Sequence, residues 1–274
     1  MLGTRIATAV VLLALLVPVL WSGSLLLVGL VLVALFGAAA WEMLRLFGRP
    51  RPLPKAALWA LVFALLLILA EYGMMQLWPL YFLCAAIWLL RLLPGLKFGL
   101  PPAGGLSDRV AMSLYGLALM GCFAGMGALY RVSALYLLSV LALVWVADIG
   151  AYFVGRAFGK RKLAPSISPG KSWEGALGGW LAVLAAGMAC ASVAALAGTF
   201  PARVAAGWGW TGLVLVLSLL TAASVIGDLV ESQLKRRAGF KDSSNLLPGH
   251  GGVLDRIDAL IPVVPLAVIF HAWI

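Results

Sequence analysis

Apolar stretches long enough to cross a bilayer follow one another along this chain, and that feature rules out most folds open to a sequence of its length. A spanning helix needs about 17 to 25 predominantly apolar residues. In lipid only helices and closed barrels satisfy every backbone polar group. Runs of the helical kind are expected near 6–21, 24–41, 56–70, 75–90, 110–130, 134–156, 174–197, 210–230 and 253–273. The expected fold is therefore an all-α polytopic integral membrane protein with about nine transmembrane helices. Composition agrees: 64% of the 274 residues are hydrophobic and 11% charged, with a mean hydropathy of +1.06, whereas soluble domains are about half apolar and a quarter charged. One membrane domain over 1–274 is expected, with N-terminal helices over 1–133 and catalytic helices and cytoplasmic loops over 134–274. The run after Arg5 has the look of a signal peptide, but no A-x-A cleavage site follows and another apolar run begins near Leu25, so a retained helix is expected.

Basic residues set the orientation. With the N-terminus in the cytoplasm, the segments around Arg5, Arg45 to Lys55, Arg91 to Arg109, Arg156 to Lys171 and Lys235 to Arg256 all lie inside. Only Arg131 and Arg203 of the 20 Lys and Arg are left outside. The positive-inside rule then selects a cytoplasmic N-terminus and a periplasmic C-terminus. The same asymmetry accounts for the net charge of +10 through topology and attraction to anionic lipid, so no nucleic-acid partner is expected. Cys84, Cys122 and Cys190 each sit inside an apolar run without metal-ligand spacing, which excludes a disulfide framework and a zinc site. Trp21, Trp41, Trp78, Trp208 and Trp210 near expected helix ends suit interfacial belts. The long polar connections 91–109, 157–173 and 231–252 share the cytoplasmic side, so function is expected there.

The densest of these polar stretches is "SQLKRRAGFKDSSNLLPGHGGVLDRID", Ser232 to Asp258. On a helix, Ser224, Asp228, Glu231 and Ser232 share one face of the eighth span, and Asp255 and Asp258 share one face at the start of the ninth. Two antiparallel helix ends thus present Asp228, Asp255 and Asp258 to a common point. Carboxylates gathered at a membrane boundary call for a cation between them, and hard oxygen ligands suit Mg²⁺ held jointly with substrate phosphates. Lys235, Arg236, Arg237 and Lys241 supply charge for polyphosphate or phospholipid headgroups. Plainer roles fit the same residues taken singly. Acidic residues favour the positive end of a helix, basic residues after a span signal topology, His250 suits a turn, and the surrounding glycines suit a flexible loop.

A second stretch, "SISPGKSWEG", contains Gly170-Lys171-Ser172 but lacks the glycine and preceding strand of a P-loop, which is rejected. What remains is Lys171 between Ser168 and Ser172 at the start of the seventh span, where free helix N–H groups attract anions. A capping segment with Glu174 in the first turn is the plainer reading. Gly175 and Gly179 form a G-x-x-x-G suited to close helix packing. Asp148 is the deepest acidic residue and is expected to line a polar cavity. Glu42 and Arg45 are expected to form an interfacial pair of small energetic worth.

With Ser232, Lys235, Arg236, Lys241, Asp242, Ser244, Leu247, Pro248, His250, Gly251, Gly252, Asp255, Arg256 and Asp258 at their positions, the chain resembles the phosphatidate cytidylyltransferase family, also called CDP-diacylglycerol synthases. The likeness extends to "SPGKSWEG", to Asp148 with the following "GAYFVGR", and to "RIATAVVLL" and "WEMLRL" near the N-terminus. It implies reaction of CTP with phosphatidic acid to give CDP-diacylglycerol and pyrophosphate, dependent on Mg²⁺ and with a second, monovalent cation such as K⁺. It implies a homodimer among membrane lipids, multi-pass in the bacterial inner membrane, with its active site facing the cytoplasm. By the same resemblance, Asp228, Asp255 and Asp258 bind metal. Lys171, Lys235, Arg236, Lys241 and Asp255 are the candidate catalytic residues, and Ser168, Ser172, Ser232, His250 and Arg256 the substrate-binding ones. Two other classes compete: a CTP-dependent lipid-alcohol kinase and a cation-coupled transporter. Transporters place their sites near the midplane on broken helices, whereas these charges cluster at helix ends. No Asp-Gly-x-x-Ala-Arg pattern of a CDP-alcohol phosphotransferase is present.

Overall fold

The computed structural model describes residues 2–274. In chain order the helices are α1 (Leu2–Trp21), α2 (Leu25–Leu46), α3 (Pro52–Glu71), α4 (Trp78–Ile87), α5 (Leu93–Phe98), α6 (Leu106–Val132), α7 (Ala134–Phe158), α8 (Trp173–Ser192), α9 (Phe200–Arg237), α10 (Leu254–Ile257) and α11 (Leu260–His271). A five-residue π-helical segment, Trp88–Leu92, joins α4 to α5, and Ala194–Leu196 form a 3₁₀ turn. Seven helical stretches among the described residues are long and apolar enough to cross a membrane: α2, α3, the continuous run Trp78–Phe98, α6, α7, α8 and α9. The apolar α1 and the shorter α11 occupy the other two expected places.

The bundle is built on close approach, because helices surrounded by lipid gain little from burying apolar surface and associate through fitted packing. Helix α6 runs through the middle. A side chain at Gly116 would stand 2.6 Å from the Trp59 ring of α3, and one at Gly125 would stand 2.7 Å from Val264 of α11. Phe36, Phe63 and Phe123 from α2, α3 and α6 stack in a buried cluster with centroids 4.6 to 6.4 Å apart. Helices α7 and α8 pack backbone to backbone. A Cβ at Gly175 would lie 2.8 Å from the Ala151 carbonyl, and Gly179 is equally tight on Ala147, so the G-x-x-x-G serves helix packing as expected.

Four connections gather at one end of the bundle: 47–51, 99–105, 159–172 and 238–253. Ion pairs tie them together. Asp108, fully buried at the start of α6, takes Arg49 from the α2–α3 connection at 2.6 Å and Arg237 from the end of α9 at 2.8 Å. Thr8 of α1 donates to the carbonyl of Pro248 at 2.8 Å, which brings the start of the chain to this same end. The opposite end carries the Glu71–Arg131 pair and a Tyr136–His271 hydrogen bond of 2.9 Å.

Several boundaries differ from expectation for local reasons. The fourth run continues to Phe98, and its hydrogen-bond ladder is reorganised in the π segment just before Pro94, which has no N–H to give. The seventh span ends at Ser192 rather than 197. The eighth is longer at both ends, running Phe200–Arg237 with one break at Gly209 (φ +67°), so Lys235, Arg236 and Arg237 are helical rather than in a loop. From Trp210 to Arg237 it reaches about 42 Å, longer than a hydrocarbon core of about 30 Å. The ninth is interrupted between α10 and α11. Pro262 cannot donate to the carbonyl of Asp258 four residues earlier, yet the backbone keeps helical angles through Asp258 and Ala259. A short antiparallel hairpin, β1 (Lys162–Ala164) with β2 (Ser168–Ser172), precedes α8 where only a capping segment was expected.

Candidate active site

The C-terminal end of α9 carries the site. Asp228, Glu231, Ser232 and Lys235 fall on one helical face there, as their spacing requires. Toward β2, Lys171 Nζ pairs with Asp228 Oδ2, and Ser232 Oγ donates to Asp228 Oδ1 at 3.2 Å. Both charged side chains remain 27–28% exposed, so water reaches this pair and its ions are exchangeable. A cavity of about 510 Å³ opens beside it between α7, the hairpin, α8 and α9. Asp148, Arg156, Ser168, Ser172, Thr221 and Ser224 line it, so Asp148 lines a cavity as expected, but one whose wall is mainly apolar. Ser172 also caps α8, accepting from Gly175 N at 3.1 Å, while Glu174 accepts from the backbone N–H of Lys160 at 3.1 Å and of Arg161 at 3.2 Å. The capping role and the cavity role thus coexist in one short segment.

One turn further along α9 lies a drier pair. Lys235 Nζ pairs with Glu231 of the same helix and with Asp255 Oδ1 at 2.7 Å, and Glu231 is fully buried. Charges taken out of water persist only when opposed and hydrogen-bonded, and Asp255 is accordingly saturated. Its Oδ2 accepts from Ser243 N at 2.9 Å and Gly252 N at 2.8 Å. The glycines beside it are now explained. Gly251 has φ +84°, and a Cβ there would stand 2.7 Å from Asp255 Oδ2. A Cβ at Gly252 would overlap the Ser243 hydroxyl and the Glu42 carboxylate. These glycines leave room for two carboxylates, a use more specific than flexibility.

His250 and Arg256 belong to the same turn. Leu247 N donates to Gly251 O and His250 N to Leu247 O, both at 2.8 Å, and Arg256 Nε donates to His250 O at 2.8 Å. Arg256 therefore fastens the turn, and His250 Nδ1 is buried without a partner among the described residues. Arg236 and Lys241 are solvent-exposed beyond the pair. Arg237 is not a free topology signal but half of the buried contact to Asp108, with its guanidinium 4.7 Å from the Phe47 ring centroid.

Among the described residues no three His, Cys, Asp or Glu side chains gather into a group that could hold a metal ion, so Asp228, Asp255 and Asp258 do not meet at the common point expected of them: Asp228 is drawn to Lys171 and Asp255 to Lys235. Asp258 lies where the charges of Asp228, Lys235 and Lys171 all act on it, its Oδ1 accepting from Ala259 N at 2.7 Å. The two lysine ammonium groups stand where cations would sit against Asp228 and Asp255. The surrounding donors are carboxylate and hydroxyl oxygens, which fits a hard cation such as Mg²⁺.

Two residues escaped the sequence reading. Glu42 does not pair with Arg45. It turns inward, fully buried, to Ser243, Ser244 and the backbone of Val253 and Leu254, while Arg45 lies over the Trp41 ring with its guanidinium 4.7 Å from the centroid. Asp108 carried no motif at all. The only hint was an acid in the first turn of an apolar helix, and a helix-dipole role accounts for that locally.

A polytopic membrane protein with a carboxylate and lysine site at one end of its bundle, roofed by polar loops, is the class these features define. The chain belongs to the cytidylyltransferase family, whose model matches residues 3–274. It is 42% identical over 281 residues to a phosphatidate cytidylyltransferase of Pseudomonas aeruginosa, covering 97% of this chain and 95% of that protein. Proteins of the same name from Haemophilus influenzae and Bacillus subtilis are 50% identical over 139 residues and 42% identical over 130 residues. Those matches cover 50% and 47% of this chain and 46% and 45% of the relatives.

Proposed function

We propose that the protein transfers the cytidylyl group of CTP to phosphatidic acid, giving CDP-diacylglycerol and pyrophosphate. The observation that carries this reading is the placement of two lysine–carboxylate pairs on successive turns of α9, one open to a cavity at the bundle's end and one sealed against the turn that precedes α10. A phosphate oxygen of phosphatidic acid attacks the α-phosphorus of CTP as pyrophosphate leaves. Such a reaction is driven mainly by positioning and charge neutralisation and needs no covalent enzyme intermediate.

The chain's own residues suit those tasks. Lys171, at the cavity, exchanges Asp228 for a substrate phosphate, and Ser168 and Ser232 lie within the same region as hydroxyl donors. Lys235 holds its place between Glu231 and Asp255 until a polyphosphate competes for it, and exposed Arg236 and Lys241 meet the nucleotide from outside. Ser172, His250 and Arg256 act on substrate through the segments they shape. Asp228, Asp255 and Asp258 do not converge on one point in this arrangement, so each would offer its oxygens to Mg²⁺ together with substrate phosphates, with a monovalent cation such as K⁺ beside it, and the metal would offset phosphate charge and polarise the reacting phosphoryl group. In the membrane we place nine spans, N-terminus inside and C-terminus outside, in the bacterial inner membrane as a homodimer with the site toward the cytoplasm. The distribution of basic residues supports that orientation.

The test is conversion of labelled CTP by the purified protein to a lipid-soluble product. Product is expected only when both phosphatidate and Mg²⁺ are present. Label transfer to a polyprenol, or none with phosphatidate, would overturn the reading.

A further inference from the structure

We infer that Glu42, on the second helix and far in sequence from every residue so far assigned a role, is a positioning residue of the active site. It sets the turn that aims Asp255. The inference rests on the reading of Asp255 and Lys235 as site residues.

Glu42 is 0% exposed and one turn from the end of α2. Its carboxylate faces four donors, all from the connection between α9 and α11. Ser244 Oγ lies at 2.5 Å and Val253 N at 3.0 Å from Oε1, while Ser243 Oγ at 3.2 Å and Leu254 N at 2.6 Å address Oε2. A carboxylate has about four lone-pair sites, and here three meet donors of their own while the fourth shares the single Ser243 hydroxyl proton with Asp255. The two backbone donors belong to the start of α10, whose first N–H groups have no partner within the helix. Asp255 lies in the first turn of that helix.

The two carboxylates share their supports. Ser243 Oγ is also 2.9 Å from Asp255 Oδ2, and Gly252, which donates to Asp255, has no room for a side chain because Glu42 Cδ would stand 2.6 Å from its Cβ. Moving Glu42 therefore moves Ser243 and Gly252, two of the groups that hold Asp255 against Lys235. A glutamine cannot substitute. Its amide nitrogen would be a donor aimed at a backbone N–H, which is left unsatisfied, while the serine hydroxyl beside it must turn round to accept.

Purified full-length Glu42→Gln, Ser244→Ala and Asp255→Asn proteins, compared with wild type across a Mg²⁺ titration, test the inference. Residues that orient a functional carboxylate typically account for about 10- to 100-fold in activity. Glu42→Gln is expected to lower kcat by that factor with KM for CTP little changed and a higher Mg²⁺ requirement. Ser244→Ala is expected to lower kcat by a smaller factor, and its effect should vanish in the Glu42→Gln background because the two act through one contact. Wild-type kcat in a folded Glu42→Gln protein, with Asp255→Asn inactive, would overturn the positioning role alone. Wild-type kcat in Asp255→Asn would overturn the site reading beneath it. Where Glu42→Gln proves unstable, unchanged kcat in Ser244→Ala overturns the inference.

Discussion

Asp255 combines four contacts that all favour its charged form: Lys235 on one oxygen, and the Ser243 N–H and hydroxyl with the Gly252 N–H on the other. Replacing it with asparagine keeps the shape but turns one face into a donor and removes the charge opposing Lys235. We expect Asp255→Asn to abolish turnover while the protein stays folded and inserted, read as CDP-diacylglycerol formation by monodisperse protein over a Mg²⁺ series. Near wild-type activity at ordinary Mg²⁺ would contradict the assignment, since loss of a helix-terminus interaction alone costs only about 0.3 to 1 kcal/mol of stability. Lys171→Ala is expected to raise KM for CTP or phosphatidate about tenfold through loss of one charge-assisted contact, and unchanged KM for both would return the residue to a structural role. Lys171, Asp228, Lys235 and Asp255 were legible in the sequence because polar residues in apolar surroundings stand out and their helical spacing is fixed. Glu42 was not: a local partner, Arg45, stood three residues away, and its true partners lie beyond any periodic pattern.

Helix α9 is the element on which the site depends, and its far end is held by a contact that no local signal announces. Asp108 receives Arg49 and Arg237 while fully buried, also accepting from Gly104 N at 3.1 Å. Removing the carboxylate strands two guanidinium groups that are only 13% and 18% exposed. Breaking such a buried arrangement costs about 3–5 kcal/mol. Asp108→Ala is therefore expected to lower the Tm of the purified protein clearly, whereas Asp108→Asn, which keeps a hydrogen-bond acceptor, should lower it less. Equal Tm for Asp108→Ala and wild type would show the triad to be idle. At this scale the sequence was a good guide to where helices lie and a poor one to where they end. Apolar runs report the depth of lipid, but α9 continues on polar residues with good helical spacing beyond its own run. The β1–β2 hairpin was hidden because β1 is only three residues long and β2, Ser-Pro-Gly-Lys-Ser, has no period to read.

For the molecule as a whole, the gathering of connections 47–51, 99–105, 159–172 and 238–253 at one end agrees with the sidedness of the basic residues. Reporter tags at Ser107, Arg161 and Ser243 are expected to be cytoplasmic and one at Phe200 periplasmic. Labelling of Ser243 from outside an intact cell would reverse the orientation. That the long polar connections share one end was legible because charge counting needs no contacts, whereas the joining of the two halves of the chain through Glu42 was not. That joining also bears on how the protein is made. Glu42 and Ser243 are separated by 201 positions in the chain. At a synthesis rate of about 5–20 residues per second, the carboxylate waits roughly 10 to 40 seconds for its partners to emerge. Through that interval the Glu42 carboxylate has none of the partners that it meets in the folded chain, because all of them lie beyond residue 242.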